Sequence, residues 1–342
     1  MYELTHNQAQ TIVDRMMMDI PYNINIMDHT GRIIGSGNKR RIGTLHHGAC
    51  KAIRQGQTVE IHKDEELVKK GINLPIEWNG HIIGVVGISG EVTEMRPFGN
   101  ILKSAVILLI EQNIALEKAN LKNNLKQEFF SLLIDSDTTY TKELISQALT
   151  YGIELTKSSQ IIYVESSSEI AEDMMKSLPS FRMSNYSLCI VVQETDKIEA
   201  LQQTIANQYP NAFISISKMN DTVSEGMLQA KLAMRVLKGV YFDVKAISYS
   251  QCEFIADILK LHKNDTKAER LIHSLEKDDE LIKTLQVYLS CNLNANVSAD
   301  RLMIHRNTLN YRLQKIHSIT GKDPKHILDL VELICMLIKR IK

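Results

Sequence analysis

Apolar residues at Ala9, Ile12, Val13, Met16 and Met17 recur at the 3.6-residue period of one helical face and predict a helix over Leu4–Met18. The pattern then changes to short apolar runs separated by turn residues. Asn23–Met27 and Arg32–Ser36 read as strands around Asp28-His29-Thr30-Gly31, where aspartate bonds its own backbone and glycine accepts positive φ. A short helix with Leu45, Ala49, Ala52 and Ile53 inward falls within Ile42–Gln55. Ile72–Trp78 and His81–Ser89 flank Asn79-Gly80, a hairpin signal because both turn residues tolerate left-handed backbone. Ile82-Ile83-Gly84-Val85-Val86-Gly87-Ile88 is apolar on both faces, as a central strand must be. Phe98–Leu133 then reads as one long helix. These elements predict a small α+β domain over residues 1–112 with a linker helix, residues 113–134, leading out of it.

The linker has a polar centre, Glu117 to Lys126, yet Leu121, Leu125, Phe129 and Leu132 continue one face, which Leu109, Ile114 and Leu116 extend. Such a helix joins domains and pairs with its copy in a dimer, or packs on its own domain. Residues 135–250 mix both periods. Ser159–Glu165 and Tyr186–Val192 read as strands, and Lys197–Asn207 and Thr222–Leu237 as helices. Ala212–Ser217 and Tyr241–Phe242 are further strand pieces. An antiparallel or mixed sheet with helices on one side fits this order, followed by a helical connector over residues 251–280.

Residues 281–342 are helical throughout. Leu281, Leu285, Tyr288 and Leu289 mark a first amphipathic helix, and Asn292–Asn296 is a polar break. A short helix reaches Met303 from Val297 or Ser298; after a tight connection another runs Arg306–Ile316, with Leu309, Leu313 and Ile316 inward. Thr320-Gly321-Lys322-Asp323-Pro324 closes the unit before a last helix over His326–Lys339. Short helix, tight turn and basic helix form the layout of a helix-turn-helix, whose second helix enters the major groove. Arg306, Asn307 and Asn310 are the candidate base readers, because arginine pairs with guanine O6/N7 and asparagine with adenine N6/N7. Arg312, Lys315 and Ser298 are candidate phosphate contacts; His305 and Tyr311 complete the candidate DNA face. An ordinary surface role remains open for each residue singly.

Charge sharpens this picture. The whole chain has 40 Lys+Arg against 40 Asp+Glu, a balance that by itself argues against nucleic acid. Residues 281–342 hold 10 basic and 4 acidic side chains, a net of +6, which leaves −6 on the remaining 280 residues. A basic end on an acidic body suits a chain that touches phosphate with one part only, although a solvated basic tail gives the same count. Five cysteines at 50, 189, 252, 291 and 335 form no CxxC pair, so core thiols in a reducing compartment are expected, with no metal site. Met1-Tyr2-Glu3-Leu4 lacks a basic-then-apolar leader, and Ile101–Ile110, which contains Lys103 and is followed by Glu111, is too short to span a bilayer. The expected location is therefore cytoplasmic, with no membrane contact.

The first domain offers a second candidate site. Arg41 lies beside Lys39 and Arg40, His46 and His47 open a helix, and Gly87-Ile88-Ser89-Gly90 ends the central strand. A guanidinium, an imidazole and backbone N–H groups can converge on an organic anion. Solvated arginines and glycines serving only a turn fit the same residues.

Two stretches resemble known families. Val297 to Ile316, containing Ile304-His305-Arg306-Asn307-Thr308-Leu309-Asn310-Tyr311-Arg312-Leu313, with Thr320-Gly321 beyond, looks like the helix-turn-helix of purine-catabolism regulators. Asp300 before Arg301 is its one mild departure. Asn25-Ile26-Met27-Asp28, Gly31, Ile33-Ile34 and Ser36-Gly37, then Arg41-Ile42-Gly43, His46 and Gly48-Ala49, then Gly71 to Ile76 and Ile83 to Gly90, resemble the sugar-diacid-recognition domain over about residues 2–130. The whole chain resembles the sugar diacid (carbohydrate diacid) utilisation regulators. The resemblance implies a multidomain α+β protein: a small PAS-like sensor, a long linker helix, a degenerate GGDEF-like middle domain and an all-helical DNA-binding end. It implies a transcription regulator, usually an activator, that responds to glycerate, glucarate, galactarate or a related acid, binds double-stranded operator DNA and forms a homodimer or higher homo-oligomer. It assigns effector contact to Ser36, Arg41, His46, Asn73, Leu74, Pro75, Gly87, Ile88, Ser89 and Gly90. Asn25 and Asp28 brace the hairpin equally well.

Catalysis finds little support. The middle region has no Gly-Gly-Asp/Glu-Glu-Phe string, and there is no P-loop, HExxH, GxSxG or GxGxxG in a suitable context. Asp135, Asp137, Glu165 and Asp173 make no recognised metal pair. No cofactor is expected. The rival readings are an adaptor that has lost its effector and a nucleotide-binding signalling protein that uses the middle domain.

Overall fold

The computed structural model describes residues 3–64, 69–171, 178–241, 243–261, 275 and 278–341. The chain divides into two compact units, Met1–Asn124 and Leu125–Lys342. It is a multidomain α+β protein with an all-helical C-terminal region.

In the first unit, α1 (His6–Met16) begins at a capping box in which the Thr5 hydroxyl and the Gln8 amide each accept the other's backbone N–H. Strands β1 (Ile24–Asp28), β2 (Ile33–Ser36), β3 (Val59–Ile61), β4 (Gly71–Trp78) and β5 (His81–Ser89) form one antiparallel sheet ordered β2-β1-β5-β4-β3. Strand alternation divides its side chains cleanly. Ile24, Ile26, Ile72, Leu74, Ile76, Val86 and Ile88 pack with α1 and with the start of α3 (Val92–Ile134). Met27, Ile33, Val59 and Val85 pack with Ala49 and Ala52 of α2 (His47–Gln55). Helix α3 starts six residues earlier than Phe98, because Val92 and Met95 are core residues. Pro97 is tolerated near its start, where its missing N–H is withheld from the carbonyl of Thr93, an exposed residue. Asp28 Oδ1 accepts from the N–H groups of Thr30 and Arg32 at 2.8 and 3.0 Å and so braces the hairpin.

The second unit contains α4 (Lys142–Thr150), β6 (Gln160–Glu165), β7 (Ser180–Ser184), β8 (Ser187–Val192), α5 (Ile198–Gln208), β9 (Phe213–Ile216), α6 (Val223–Val240), β10 (Ala246–Ser248) and α7 (Tyr249–Leu261). Its sheet order is β10-β9-β6-β8-β7, antiparallel except for the β10–β9 pair. Helices cover both faces, not one. Helices α4, α6 and α7 with the end of α3 bury Ile161, Tyr163, Cys189 and Val191, while Ile205 of α5 packs on Ile162, Val164, Ile190 and Ile214. Of the expected strand piece at Tyr241–Phe242, Tyr241 instead caps α6 and Phe242 lies outside the described residues; the edge strand is β10. Phe129 is 1% exposed and stacks on Tyr151, so it leaves the expected free stripe of α3.

Among the described residues, four helices complete the unit: α8 (Asp279–Ser290), α9 (Ala295–Leu302), α10 (Arg306–Thr320) and α11 (Ile327–Lys339). Leu281, Leu285, Leu309, Leu313, Ile316, Leu333 and Leu337 form their common core. This end is attached to α6. Gln286 Nε2 donates to the carbonyls of Lys238 and Gly239 at 3.2 and 2.9 Å, and Arg235 Nε donates to the carbonyl of Ile341 at 2.8 Å. A Cβ at Gly239 would lie 2.8 Å from Ile338 Cα, so the two backbones meet there directly.

Candidate effector and nucleic-acid sites

The register of the first sheet places Ser36, Asn25, Gly87, Asn73 and Val59 in one row across all five strands. Ser36 Oγ donates to Asn25 Oδ1 at 2.6 Å, and both side chains are buried. The start of α2 lies over this row: a Cβ at Gly48 would fall 2.7 Å from Asn73 Nδ2 and 3.2 Å from His46 Cε1. Gly87 leaves room from below, since a Cβ there would sit 3.0 Å from Asn73 Oδ1. Asn73 is 3% exposed, and no hydrogen bond reaches its amide among the described residues. Among the described residues the one wholly buried side-chain polar atom without a partner is Arg340 Nε, so the Asn73 amide, bonded to no protein group, still reaches solvent and is open to a ligand.

His46 is the N-cap of α2 and is 5% exposed. Its Nδ1 accepts the Ala49 N–H at 3.2 Å, which assigns the proton of the neutral ring to Nε2. Burial, and then the charges of Arg41 and His47, push its pKa down to about 4, so the ring is a neutral donor near pH 7. Arg41 ends a 3-10 turn, Lys39–Arg41, capped by Asn38. It is partly buried, which lowers its pKa, and its guanidinium has no carboxylate partner among the described residues. An amide, an imidazole N–H and a partnerless guanidinium together suit a small hydroxylated carboxylate.

Not every expected contact fits this face. Leu74 and Ile88 point to the opposite side, into the core with α1 and α3. The backbone donors expected from the glycine corner are already used: Ser89 N–H donates to Asn23 and Gly90 N–H to Lys70, each at 3.0 Å, while Gly87 and Ile88 pair along β1 and β4. Gly87 serves as space for Asn73. Pro75 is buried on the Asn73 side, one alternation further along β4. Ser36 is held by Asn25 and itself accepts the Asn38 N–H at 3.1 Å, which ties the row to the turn bearing Arg41.

At the other end, Asn294 caps α9 by accepting from Asn296 and Val297, so this helix starts at Ala295, earlier than its apolar pattern suggests. Met303 supplies the tight turn at φ 55° and is 94% exposed. His305 caps α10 by accepting the Asn307 N–H at 3.2 Å. Gly321 ends α10 at φ 69°, so this helix runs four residues beyond Ile316. Asn307, Tyr311 and Gln314 are exposed on the side away from Leu309, Leu313 and Ile316, whereas Arg306 shares the face of Leu309 and Leu313 and is exposed as the first residue of α10. Asn310 is half-buried and accepts from Lys325 Nζ at 3.2 Å.

The phosphate candidates fare differently. Ser298 is fully buried and its hydroxyl donates to the Asn294 carbonyl at 2.6 Å, which takes it off the DNA face. Arg312 and Lys315 pair with Glu280 and Asp278 at the start of α8, each at 2.7 Å. The residues just before α9 and the exposed Met303 were legible only as a break, yet they set where α10 begins.

The C-terminal helices form a DNA-binding helix-turn-helix of a transcriptional regulator. Residues 281–338 match the family model described as "PucR C-terminal helix-turn-helix domain", and residues 4–133 match the one described as "Putative sugar diacid recognition". The chain thus joins an N-terminal domain similar to the sugar-diacid-recognition domain to a C-terminal helix-turn-helix similar to that of PucR regulators. It is 28% identical to a carbohydrate diacid regulator of Escherichia coli, over 94% of each chain. It is also 28% identical to an uncharacterised protein of Haemophilus influenzae, over 93% of this chain and 94% of that one. A purine catabolism regulatory protein of Bacillus subtilis is 34% identical over 71 residues, 21% of this chain and 13% of its own.

Among the described residues, no group of three or more His, Cys, Asp or Glu is arranged to hold a metal ion. Among the described residues one helix, α3, is long and apolar enough by length and composition to cross a membrane, although Ile101–Ile110 alone was expected to be too short for a span. Its Leu102, Val106 and Ile110 are core residues of the first unit.

Proposed function

We propose that this protein is a transcription activator, not an enzyme, that senses a sugar diacid or related hydroxy acid at the Asn73 row and reads operator DNA with α10. The observation that carries the sensing half is the buried Asn73 amide, which has no partner among the described residues, beneath the neutral His46 ring. Arg41 receives the ligand carboxylate, and His46 Nε2 and Asn73 receive its oxygens. The printed name of the Escherichia coli relative supports a carbohydrate diacid as the effector class. Arg306, Asn307 and Asn310 face bases; Tyr311 and His305 lie at the edge, with Arg312 and Lys315 turned to phosphate on binding.

Residues 1–112 are the sensor, 113–134 the linker, 135–250 a degenerate GGDEF-like scaffold, 251–280 the connector and 281–342 the DNA-binding end. The exposed apolar residues of α3, among them Ile101, Leu108, Leu121 and Leu125, support contact with a second copy. Effector binding changes DNA affinity by favouring one domain arrangement, with α3 as the lever.

The test is calorimetry on the full chain with glycerate, glucarate and galactarate, followed by operator binding with and without the tightest. Saturable binding that Arg41→Ala weakens at least about tenfold, with an unchanged circular dichroism spectrum, supports the reading. No binding by any of the three defeats it.

A further inference from the structure

A second cleft lies in the middle domain, at the C-terminal end of β6, with a volume of about 350 Å³. Glu165 ends that strand, Ser184 and Ser187 flank the β7–β8 turn, Asn211 and Phe213 precede and begin β9, and Lys238 reaches in from the last turn of α6. Two further serines and a tyrosine complete the wall. Hydroxyl groups therefore dominate it, with Phe213 as the large apolar surface.

The charges decide what such a cleft accepts. Lys238 and Glu165 form an ion pair with both side chains 27% exposed. The lining thus carries one cation and one anion that already neutralise each other. A free carboxylate or phosphate entering here must displace Glu165 from Lys238. A neutral hydroxylated molecule need not: its hydroxyls donate to Glu165 and accept from Lys238 while the pair stays intact. Ser184 Oγ and Ser187 Oγ lie 2.7 Å apart and share a hydrogen bond at the wall of the cleft, where their oxygens can accept from a ligand hydroxyl. The volume falls within the range of small-molecule pockets and suits a ligand of monosaccharide size.

We infer that this cleft binds a neutral polyhydroxylated small molecule, a monosaccharide or cyclic polyol, through Glu165, Lys238, Asn211 and the Ser184–Ser187 pair. The position gives such a ligand access to the DNA-binding end. The Lys238 side chain lines the cleft, while its carbonyl accepts from Gln286 of α8.

The test is calorimetry on the full chain with D-galactose, D-glucose and myo-inositol as neutral probes and galactarate as the charged counterpart. Two variants address the cleft. Asn211→Trp, at an exposed turn, fills the cleft without touching a core, and Glu165→Gln removes the carboxylate while keeping its shape. A neutral probe should bind saturably with a dissociation constant below about 1 mM. Asn211→Trp and Glu165→Gln should each weaken it at least about tenfold, whereas Arg41→Ala in the first unit leaves it unchanged. Retained binding in both cleft variants overturns the inference, as does loss in Arg41→Ala. It is equally overturned if no neutral probe binds below about 10 mM, or if galactarate alone binds and Asn211→Trp abolishes it.

Discussion

The sheet row of the first unit and the α10 surface of the second hold their polar groups in opposite ways. Asn73 and His46 are buried, with an amide and an Nε2–H that nothing in the described residues satisfies. Arg312 and Lys315 are satisfied already, by carboxylates whose pairs stand at the surface. A polar group in a nearly enclosed position that no protein atom satisfies rewards a ligand that matches its hydrogen-bonding geometry. A surface ion pair contributes little and is readily exchanged for phosphate. The first arrangement selects a small molecule by shape and hydrogen bonding; the second admits a polyanion and lets salt govern its affinity.

The largest expected departure from this contrast is a pH effect confined to the first unit. His46 is neutral in the fold down to about pH 4, whereas the unfolded chain binds a proton near the ordinary histidine value of 6.5. Stability is therefore full above that value and falls as pH drops from 6.5 towards 4, by about 3 kcal/mol in all. Urea unfolding across this range checks it. His46→Asn, which keeps an acceptor at the helix cap, should flatten that part of the profile, and an unaltered slope in the variant would assign the loss to other groups.

Next comes Arg306→Ala. Loss of a bidentate contact to guanine should lower operator affinity by about 1–3 kcal/mol and relax preference at one base pair. Titration against operators mutated at each position reads both; equal loss on every sequence would make Arg306 a phosphate contact instead. Asn73→Ala is a smaller change with a telling split. Effector affinity should fall about tenfold while thermal stability without effector barely moves, because the amide gives up no hydrogen bond in the free protein. A large drop in stability alone would make Asn73 a packing residue.

The smallest effect has the opposite sign. Asp278→Asn combined with Glu280→Gln frees Lys315 and Arg312, and DNA affinity should rise about two- to fivefold at low salt. Fluorescence anisotropy at two salt concentrations distinguishes this gain, which shrinks at the higher one, from a change in the fold.

The helix-turn-helix was legible because its signals are local. Leu309, Leu313 and Ile316 mark one face, His305 and Gly321 stand at the ends of α10, and the charge of residues 281–342 sets that end apart. The burial of Ser298 was not legible, since it depends on how α9 sits on its neighbours. Face alternation does predict that Leu74 and Asn73 cannot serve one site, yet the motif names both. The row itself required knowing that β5 lies between β1 and β4, a long-range pairing that no window of sequence displays. Short β7 and β3 escaped for a related reason: five and three residues carry too little pattern, and each is a strand only because a neighbour pairs with it. Phe129 looked like one more position of a free stripe until the ring of Tyr151 covered it.

The close meeting of Gly239 with Ile338 has a practical consequence for protein engineering. A graft that transplants residues 281–342 alone onto a foreign sensor would leave behind the surface on which their last helix rests, exposing Ile338 to water and stranding the amide of Gln286. Because α6 itself is buried on the β6–β8 sheet, the transferable cassette has to be the whole second unit, from about Leu125, so that the reading head travels with its mount.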